Sequence, residues 1–168
     1  MSNSEESAGF THVRHGAGTP PESQMVDVGG KPQTKRHALA RAKVRFPSGV
    51  LERLLRDGGP KGPILEVSRV AGILGAKRTS DLIPMCHPLG LEHVELSFHE
   101  LEPDVLEIHC RAQVSGQTGV EMEAMVGAGL AALTVYDMTK GVHKGISIEA
   151  VELLEKGGGR SGLWRRGS

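Results

Sequence analysis

Residues 119–140 read GVEMEAMVGAGLAALTVYDMTK, and no proline interrupts them. The stretch predicts one helix of about five and a half turns, in which the residues from Ala124 to Val135 carry no charge. A helix that is apolar all round is buried on every side. We therefore expect one side to pack on a sheet of its own domain and the opposite side to meet a second copy of the chain. The small residues that would let the two copies approach closely are Gly127, Ala128, Gly129, Ala131 and Ala132.

Charged residues stand at both ends of this helix. Glu121 and Asp137 are sixteen positions apart, which corresponds to about 24 Å along a helix axis. They cannot share one small-molecule site within a subunit, so a shared site needs an antiparallel neighbour that brings its opposite end alongside. A plainer interpretation is also open: Glu121 and Glu123 complement the helix N terminus, and Asp137 and Lys140 form an ordinary i,i+3 ion pair.

The composition is that of a domain with no dominant charge. The chain has 168 residues, of which 20 are basic and 20 acidic, so its net charge is zero. This length can bury a hydrophobic core, and the charge balance argues against a dominant surface for nucleic acid. Cys86 and Cys110 are too few for a disulfide framework and form no Cys-x-x-Cys metal pattern. We expect both to be buried thiols.

Composition also suggests the domain boundaries. Residues 1–24 are polar, acidic and rich in Ser, Gly and Pro, without the apolar core of a secretory signal, and we predict a disordered N-terminal arm. Residues 25–156 are predicted to form one folded domain, followed by a flexible Gly/Arg-rich tail over residues 157–168. The longest uncharged run elsewhere is too short to span a bilayer. We therefore predict a cytoplasmic protein that does not enter membranes.

The segment before the long helix is predicted to begin with a strand and two helices. Residues 38–46 alternate between apolar and other residues, as in a half-buried strand. A short helix follows, with Ser48 as its N-cap and Asp57-Gly58-Gly59-Pro60 as its end. A second helix is predicted from about Ile64 to Lys77. Its apolar face would hold Leu65, Val67, Val70, Ala71, Ile73 and Leu74.

A hairpin and a final strand complete the pattern. Two alternating runs flank the turn Glu102-Pro103-Asp104, and the last strand is predicted from Ile146 to Leu154. The order is strand, helices, two strands, helix, strand. This order predicts an α+β fold of ferredoxin-like type, an antiparallel sheet with helices on one face plus one added helix.

Short segments outside the long helix carry further candidate site residues. Pro84-Met85-Cys86-His87-Pro88-Leu89 is a stiffened connection, and His87 within it could bind phosphate or move protons near neutral pH. Lys61 lies on a glycine-rich backbone that can approach a ligand closely. Lys77-Arg78 and the run from Gly157 to Arg160 are other possible anion contacts.

Each of these segments also has a structural interpretation, as a turn histidine, a solvated loop lysine, a charge at a helix C terminus or a flexible tail. No second His or Cys lies at ligand spacing from His87, so we predict no dedicated metal site.

Five motifs occur together in the order seen in the MoaC family, the cyclic pyranopterin monophosphate synthases of molybdenum cofactor biosynthesis. They are Met25-Val26-Asp27-Val28, Ala71-Gly72-Ile73-Leu74-Gly75-Ala76-Lys77-Arg78-Thr79, Asp81-Leu82-Ile83-Pro84-Met85-Cys86-His87-Pro88-Leu89, Thr118-Gly119-Val120-Glu121-Met122-Glu123-Ala124 and Tyr136-Asp137-Met138-Thr139-Lys140. The chain resembles this family from about Met25 to Gly162. The resemblance implies a ferredoxin-like fold with an added helix and a homohexamer, built as a trimer of dimers with sites between subunits.

The resemblance further implies a lyase. We predict no cofactor for it, and a divalent metal that accompanies the triphosphate stays open. Its substrate would be 3',8-cyclo-7,8-dihydroguanosine triphosphate from the preceding radical enzyme, and its products cyclic pyranopterin monophosphate and pyrophosphate. Asp137 matches the catalytic acid/base and Lys140 its partner, and such proton transfers suit a carboxylate and a lysine whose pKa values are shifted toward neutrality. The matching substrate-binding positions are Met85, Cys86, His87, Met122 and Glu123, with Lys61, Lys77 and Glu121 as further site positions.

Two other function classes compete with this lyase. A ferredoxin-like RNA-binding module would need stacking aromatics on its sheet, but the chain has three Phe, one Tyr and one Trp, and Phe98 alone lies in the hairpin. A noncatalytic sensor could bind a nucleotide at the same subunit interface. An assay for pyrophosphate separates the sensor from the enzyme.

Overall fold

A five-stranded sheet covered by helices forms the body of the computed structural model, which describes residues 13–14 and 22–167. In chain order the strands are β1 (Val13–Arg14), β2 (Glu22–Ser23), β3 (Thr34–Arg45), β4 (His93–Glu102), β5 (Val105–Gly116), β6 (Ser147–Gly157) and β7 (Trp164–Arg165). The helices are α1 (Val50–Asp57), α2 (Ile64–Lys77), α3 (Thr79–Leu82) and α4 (Glu121–Thr139). The spatial order is β4-β5-β3-β6-β7, with every neighbouring pair antiparallel. The predicted ferredoxin-like α+β fold is confirmed, with the short strand β7 added at one edge.

The central strand β3 shows why α4 lies so close to the sheet. Its inward residues alternate along the strand and are fully buried, and three of the four are alanines: Ala38, Ala40, Ala42 and Val44. Such small side chains leave room for a helix packed directly above them. The predicted strand is therefore confirmed, and it begins earlier than expected, at Thr34.

The two long helices pack against each other through small residues. Gly72 of α2 lies against Ala131 of α4, and Ala76 lies against Gly127, so the helices run antiparallel. A Cβ atom added at Gly72 would come within 2.8 Å of the Gly127 carbonyl oxygen. Glycine is thus required at this crossing because two backbones meet there.

The packing of α2 on α4 contradicts two predictions made from the sequence. The first is the contact between copies through the small residues of α4. Of the small residues expected to meet a second copy, Gly127, Ala128, Ala131 and Ala132 are buried inside their own chain, against α2 and the sheet. The predicted contact between copies through these residues is therefore wrong.

The side of α2 that is buried also differs from the prediction. The structure buries Ile64, Ser68, Gly72, Gly75 and Ala76. Of the predicted apolar face, Leu65 and Ile73 are half-buried against the core, but Val70 and Leu74 are 64% and 49% exposed. Close approach of the helix backbones decides which face packs, and that requires small residues rather than the most apolar ones.

Helix α1 begins differently from the prediction. Gly49, not Ser48, occupies the N-cap position, and its backbone has a φ angle of 73°. The Gly49 amide donates to the Asp104 carboxylate at 2.7 Å, which ties the start of α1 to the turn between β4 and β5. A tertiary contact thus replaces the expected side-chain cap.

Short strands lie near both ends of the chain: β1 and β2 form a separate two-stranded sheet, and β7 joins the five-stranded sheet. Val13–Arg14 pairs with Glu22–Ser23, and the rest of the predicted arm before residue 22 lies outside the described residues. Trp164–Arg165, within the predicted flexible tail, pairs with β6. The flexibility of both segments stays a prediction.

Candidate active site

Helix α4 separates the predicted site residues into two groups. Its first turn carries Glu121, Met122 and Glu123, and its last turn carries Asp137, with Lys140 just beyond. The rise of an α-helix places these groups about 24 Å apart. A single chain therefore does not bring all the predicted residues together. We call the group around Asp137 the lysine–aspartate cluster and the cavity at the other end the α4 N-terminal pocket.

The lysine–aspartate cluster consists of Lys61, Asp137 and Lys140. Lys61 Nζ lies 2.9 Å from Asp137 Oδ2, and Lys140 Nζ lies 2.7 Å from Asp137 Oδ1. Each carboxylate oxygen thus has its own lysine, and all three side chains are about half exposed. The i,i+3 pair was predictable from the sequence, whereas Lys61 comes from a loop 76 residues earlier.

Glycines shape the loop that delivers Lys61. Gly58 and Gly62 have φ angles of 84° and 106°, which residues with a Cβ atom rarely adopt. The Gly62 amide donates to the Gly59 carbonyl at 3.1 Å. The loop therefore turns tightly and presents Lys61 to the C-terminal end of α4.

The two lysines shift the pKa of Asp137 strongly. Hydrogen bonds from Lys140 and then from Lys61 lower the pKa of Asp137 to about 2, and the same carboxylate raises the pKa of Lys140. The shift runs away from neutrality, opposite to the direction expected from the sequence. In the free chain Asp137 is an ionised hydrogen-bond acceptor. An anion that drew the lysines away would weaken these bonds and raise its pKa.

The α4 N-terminal pocket gathers most of the predicted binding residues. It is a cavity of about 320 Å³ at the start of α4. It is lined by Val26, Val28, Lys31, Met85, Cys86, His87, Leu89, Thr118, Gly119, Glu121, Met122 and Glu123. The antiparallel packing of α2 on α4 also sets exposed Lys77, at the end of α2, toward this end of α4. The loop 84–89 and the N terminus of α4 therefore line the same cavity.

Glu123 is the most unusual group in this pocket. Its residue surface is only 4% exposed, and this burial raises the pKa of Glu123 to about 7, assisted by the nearby charge of Glu121. Its own backbone hydrogen bond opposes the shift. Glu123 can therefore hold or release a proton near neutral pH. Cys86 is half-buried rather than buried as predicted. Its partial burial, assisted by the Glu123 charge, raises the pKa of the thiol, which keeps the sulfur protonated.

His87 is held by the chain segment that precedes β3. Its Nε2 atom lies 2.9 Å from the Val26 carbonyl oxygen. A carbonyl only accepts, so Nε2 carries the hydrogen and Nδ1 is the acceptor of the neutral ring. Among the described residues, no three His, Cys, Asp or Glu side chains gather as metal ligands would. The expected lack of a metal site stays a prediction.

A second cavity next to this pocket holds Arg160, a predicted anion contact, together with three basic residues that the sequence interpretation missed. It measures about 600 Å³ and shares Lys31, Thr118, Gly119 and Glu121 with the α4 N-terminal pocket. Its cationic residues are Lys31, Arg36, Lys156 and Arg160. We call it the basic cavity. Arg36 and Lys156 lie on strands, where a sequence pattern reads them as solvated surface charges, and among the four cations only the glycine run before Arg160 gave a signal.

Backbone and side-chain contacts fix two of these cations in place. The Arg36 guanidinium donates to the carbonyl oxygens of Gly116 at 2.9 Å and Gln117 at 3.2 Å. Gly159 packs so close to this guanidinium that a Cβ there would collide with it. Lys156 Nζ lies 3.2 Å from Glu121. The cavity can therefore offer two ordered cationic groups to an anion.

The aromatic surface expected of an RNA-binding sheet is missing from the hairpin. Phe98 packs against the hydrophobic core, and the Arg69 guanidinium lies 5.0 Å from its ring centre. A base could not stack on a ring covered in this way. Within the described residues, no helix has the length and apolar character needed to cross a membrane.

A family pattern and three known proteins are similar to this chain in sequence. The sequence pattern of the MoaC family matches residues 25–159. A protein of Thermomicrobium roseum named cyclic pyranopterin monophosphate synthase is 51% identical over 147 residues, which cover 86% of this chain and 88% of that protein. Proteins of the same name from Novosphingobium aromaticivorans and Chloroflexus aggregans are 46% and 48% identical. The first of these two matches covers 93% of this chain and 96% of the relative, and the second 86% and 88%.

Proposed function

This chain belongs to the MoaC family, and we propose that it is a cyclic pyranopterin monophosphate synthase of molybdenum cofactor biosynthesis. The enzyme is a lyase that converts 3',8-cyclo-7,8-dihydroguanosine triphosphate into cyclic pyranopterin monophosphate and pyrophosphate. The preceding radical enzyme supplies the substrate, and the reaction takes place in the cytoplasm. The observation that carries the proposal is the lysine–aspartate cluster, in which Asp137 is held between Lys61 and Lys140.

The lysine–aspartate cluster performs the proton transfers in this proposal. Ring opening and reclosure require several proton transfers, and an ionised aspartate flanked by two ammonium groups supplies both an acceptor and donors. Binding of the substrate phosphates to the lysines would weaken their hydrogen bonds to Asp137. The pKa of Asp137 then rises from about 2 toward the range where it is useful as a base.

The α4 N-terminal pocket recognises the purine-derived ring. Glu123 presents a nearly buried carboxyl group to the guanidine-like edge of the ring. Its pKa of about 7 lets it accept hydrogen bonds when ionised and donate one when protonated. Cys86 and Met85 supply adjoining surface, and His87 supplies a further polar contact.

The basic cavity binds the phosphates. Arg36 and Lys156 carry fixed positive charges next to the pocket, and Lys31 lines both cavities. Loss of pyrophosphate builds negative charge on the leaving group, which ordered cations stabilise. Arginine suits this task because its planar guanidinium can contact two phosphate oxygens at once.

The separation of the two groups on α4 supports an oligomer with shared sites. Because about 24 Å separates the ends of the helix, we propose that the lysine–aspartate cluster of one subunit completes the α4 N-terminal pocket of another. The assembly is a homohexamer built as a trimer of dimers. Apolar residues that are exposed on one chain are available for such contacts, namely Val67, Val70, Leu74 and Leu133.

Turnover of the cyclised triphosphate tests this function. The purified chain is expected to release pyrophosphate and cyclic pyranopterin monophosphate in equal amounts from that substrate and none from GTP. Binding of the substrate without pyrophosphate release would instead support the noncatalytic sensor. Asp137→Asn serves as the inactive control, because it removes the proposed base.

A further inference from the structure

The segment before β3 contributes lining residues to the α4 N-terminal pocket without forming a helix or strand. We call residues 25–31 the strap. The side chains of Val26 and Val28 are half-buried and line the pocket, whereas Met25 before them and Asp27 between them are exposed. The strap is therefore part of the pocket wall, although it comes from the edge of the described domain.

Hydrogen bonds at both ends fasten the strap. At one end, the Val26 carbonyl accepts from His87 Nε2 at 2.9 Å. At the other, Gln117 Nε2 donates to the carbonyl oxygens of Gly29 at 3.3 Å and Lys31 at 3.0 Å. Gln117 directly precedes Thr118 and Gly119, which line both cavities. The strap is thus tied to the same chain segments that form the site.

Internal contacts keep the strap in one shape between these two ties. The Gly29 amide donates to Asp27 Oδ1 at 2.8 Å, and the Lys31 amide donates to the Val28 carbonyl at 2.9 Å. These contacts lie within the strap, so its attachment to the domain depends on the hydrogen bonds of His87 and Gln117.

The bond to His87 has a chemical consequence. Neutral imidazole carries one hydrogen, and the hydrogen-bond partner of one nitrogen decides the state of the other. Since the Val26 carbonyl can only accept, it selects the tautomer with hydrogen on Nε2. The Nδ1 atom is then the acceptor of the neutral ring.

We propose that the strap is a positioning element of the active site, in which the Val26 carbonyl holds His87 with Nδ1 available to accept a hydrogen bond or proton from the substrate. The kinetic part of this inference rests on the proposed function, whereas the tautomer is a property of the free protein. The two can therefore fail separately.

The first test reads the tautomer directly. Nitrogen NMR spectra of the full chain with ¹⁵N-labelled histidine, recorded at alkaline pH, distinguish a ring nitrogen that bears hydrogen from one that does not. The spectrum of His87→Gln identifies the His87 signals by their disappearance. We expect hydrogen on Nε2 and none on Nδ1. A His87 ring with its hydrogen on Nδ1, or an even mixture of tautomers, overturns the proposal.

The second test loosens the strap. Gln117→Ala removes both hydrogen bonds to the strap and is expected to give a mixture of His87 tautomers. The matched control is Gln113→Ala, which deletes the same amide from an exposed position on β5 outside both cavities and should leave the His87 signals unchanged. An unchanged tautomer in Gln117→Ala, or the same loss in the control, contradicts the role of the strap.

The third test weakens the carbonyl itself and does not depend on how Gln117→Ala folds. Replacing residue 27 by its α-hydroxy acid turns the Val26–Asp27 peptide into an ester, whose carbonyl is a poorer acceptor. We expect kcat to fall about fivefold and KM to change less than about twofold, as for loss of one net hydrogen bond. An ester one link earlier, at Met25–Val26, is the control. Equal kcat values in the two ester proteins would overturn the proposal.

Discussion

The two ends of α4 carry carboxyl groups whose pKa values are shifted in opposite directions. Asp137 is exposed between two lysines, whose hydrogen bonds lower its pKa to about 2. Glu123, on the same helix, is buried, and this burial raises its pKa to about 7. The difference shows that pairing stabilises the charged form of a carboxyl group, whereas burial destabilises it. One helix thereby supplies an ionised acceptor and a carboxyl group that can hold a proton.

The largest expected effect on kcat comes from removing the charge of Asp137, at the C-terminal end of α4. Asp137→Asn should lower kcat by about 10²–10⁴-fold, the usual contribution of a general acid or base. Lys140→Ala should do the same, because Lys140 is the closest cation to this carboxylate. Pyrophosphate release measures the loss, and size-exclusion chromatography should show an unchanged oligomer.

The matched control neutralises an ion-paired aspartate elsewhere. Asp57 is exposed, and hydrogen bonds from Arg56 lower its pKa, but it lines neither cavity. Asp57→Asn should therefore keep wild-type turnover. Near-normal pyrophosphate release by Asp137→Asn would remove Asp137 from the chemistry.

A mixed oligomer tests whether the two ends of α4 serve one site. Glu123→Ala and Asp137→Ala should each be inactive, because every site of a symmetric dimer then lacks one group. Coexpression of the two differently tagged chains should restore about a quarter of the wild-type sites, since half the dimers are mixed and half of their sites are whole. A mixed oligomer that forms and stays inactive argues that the two residues do not share a site between subunits.

Replacing Lys61, which comes from the glycine-rich loop, tests whether the lysine–aspartate cluster contributes to substrate binding. Lys61→Ala should weaken the affinity for a nonreactive substrate analogue about tenfold at physiological salt, with a smaller loss at low salt because the remaining cations are less screened. His87→Ala should weaken it in the same direction at the other end of α4. Calorimetry measures both.

The control for this change is Lys35→Ala. It removes an exposed lysine that lies outside the lysine–aspartate cluster and the two cavities. An affinity loss in Lys35→Ala equal to that in Lys61→Ala would mean that overall charge, rather than the position of Lys61, decides the binding.

The smallest effect concerns how the free energy of unfolding depends on pH. This dependence has opposite signs for Glu123 and Asp137, at the two ends of α4. The pKa of Glu123 is raised on folding, so the unfolded chain loses its proton first, and the free energy of unfolding falls as pH rises toward 7. Between pH 6 and pH 8 the loss should be about 1 kcal/mol. The pKa of Asp137 is lowered on folding, so its contribution is present at neutral pH and is lost only as pH falls toward 2.

Urea unfolding of Glu123→Gln at the two pH values measures this effect. The variant should lose the decline between pH 6 and pH 8, because it has no proton to release. Glu66→Gln, which neutralises an exposed residue of α2, should keep the decline. A decline of equal size in both variants would show that another group causes it.

Much of the fold could be predicted because helices and strands follow local periodicity. The structure reproduces α2 from Ile64 to Lys77, the hairpin of β4 and β5, and the long helix α4. Which face of α2 is buried could not be predicted from local periodicity. Its apolar residues suggested one face, but Gly72, Gly75 and Ala76 pack on α4, because contact between two helix backbones depends on the shape of both partners.

The candidate site divides in the same way. The pair of Asp137 and Lys140 lies within one helical turn and was predictable. The position of Lys61 beside Asp137 was not, because 76 residues separate them. Arg36 and Lys156 likewise come from strands far apart in the chain, and the fold alone brings them to the basic cavity.

The sequence by itself determined the order of the helices and strands, the length of α4 and hence the distance between its two charged ends. These properties depend on residues close together in the chain. The tertiary structure alone decided which face of α2 is buried, which lysine reaches Asp137, and that Asp137 and Glu123 shift in opposite directions. The physical reason is that burial and distances between charges depend on groups brought together from distant parts of the chain, and these two quantities set the pKa of each carboxyl group.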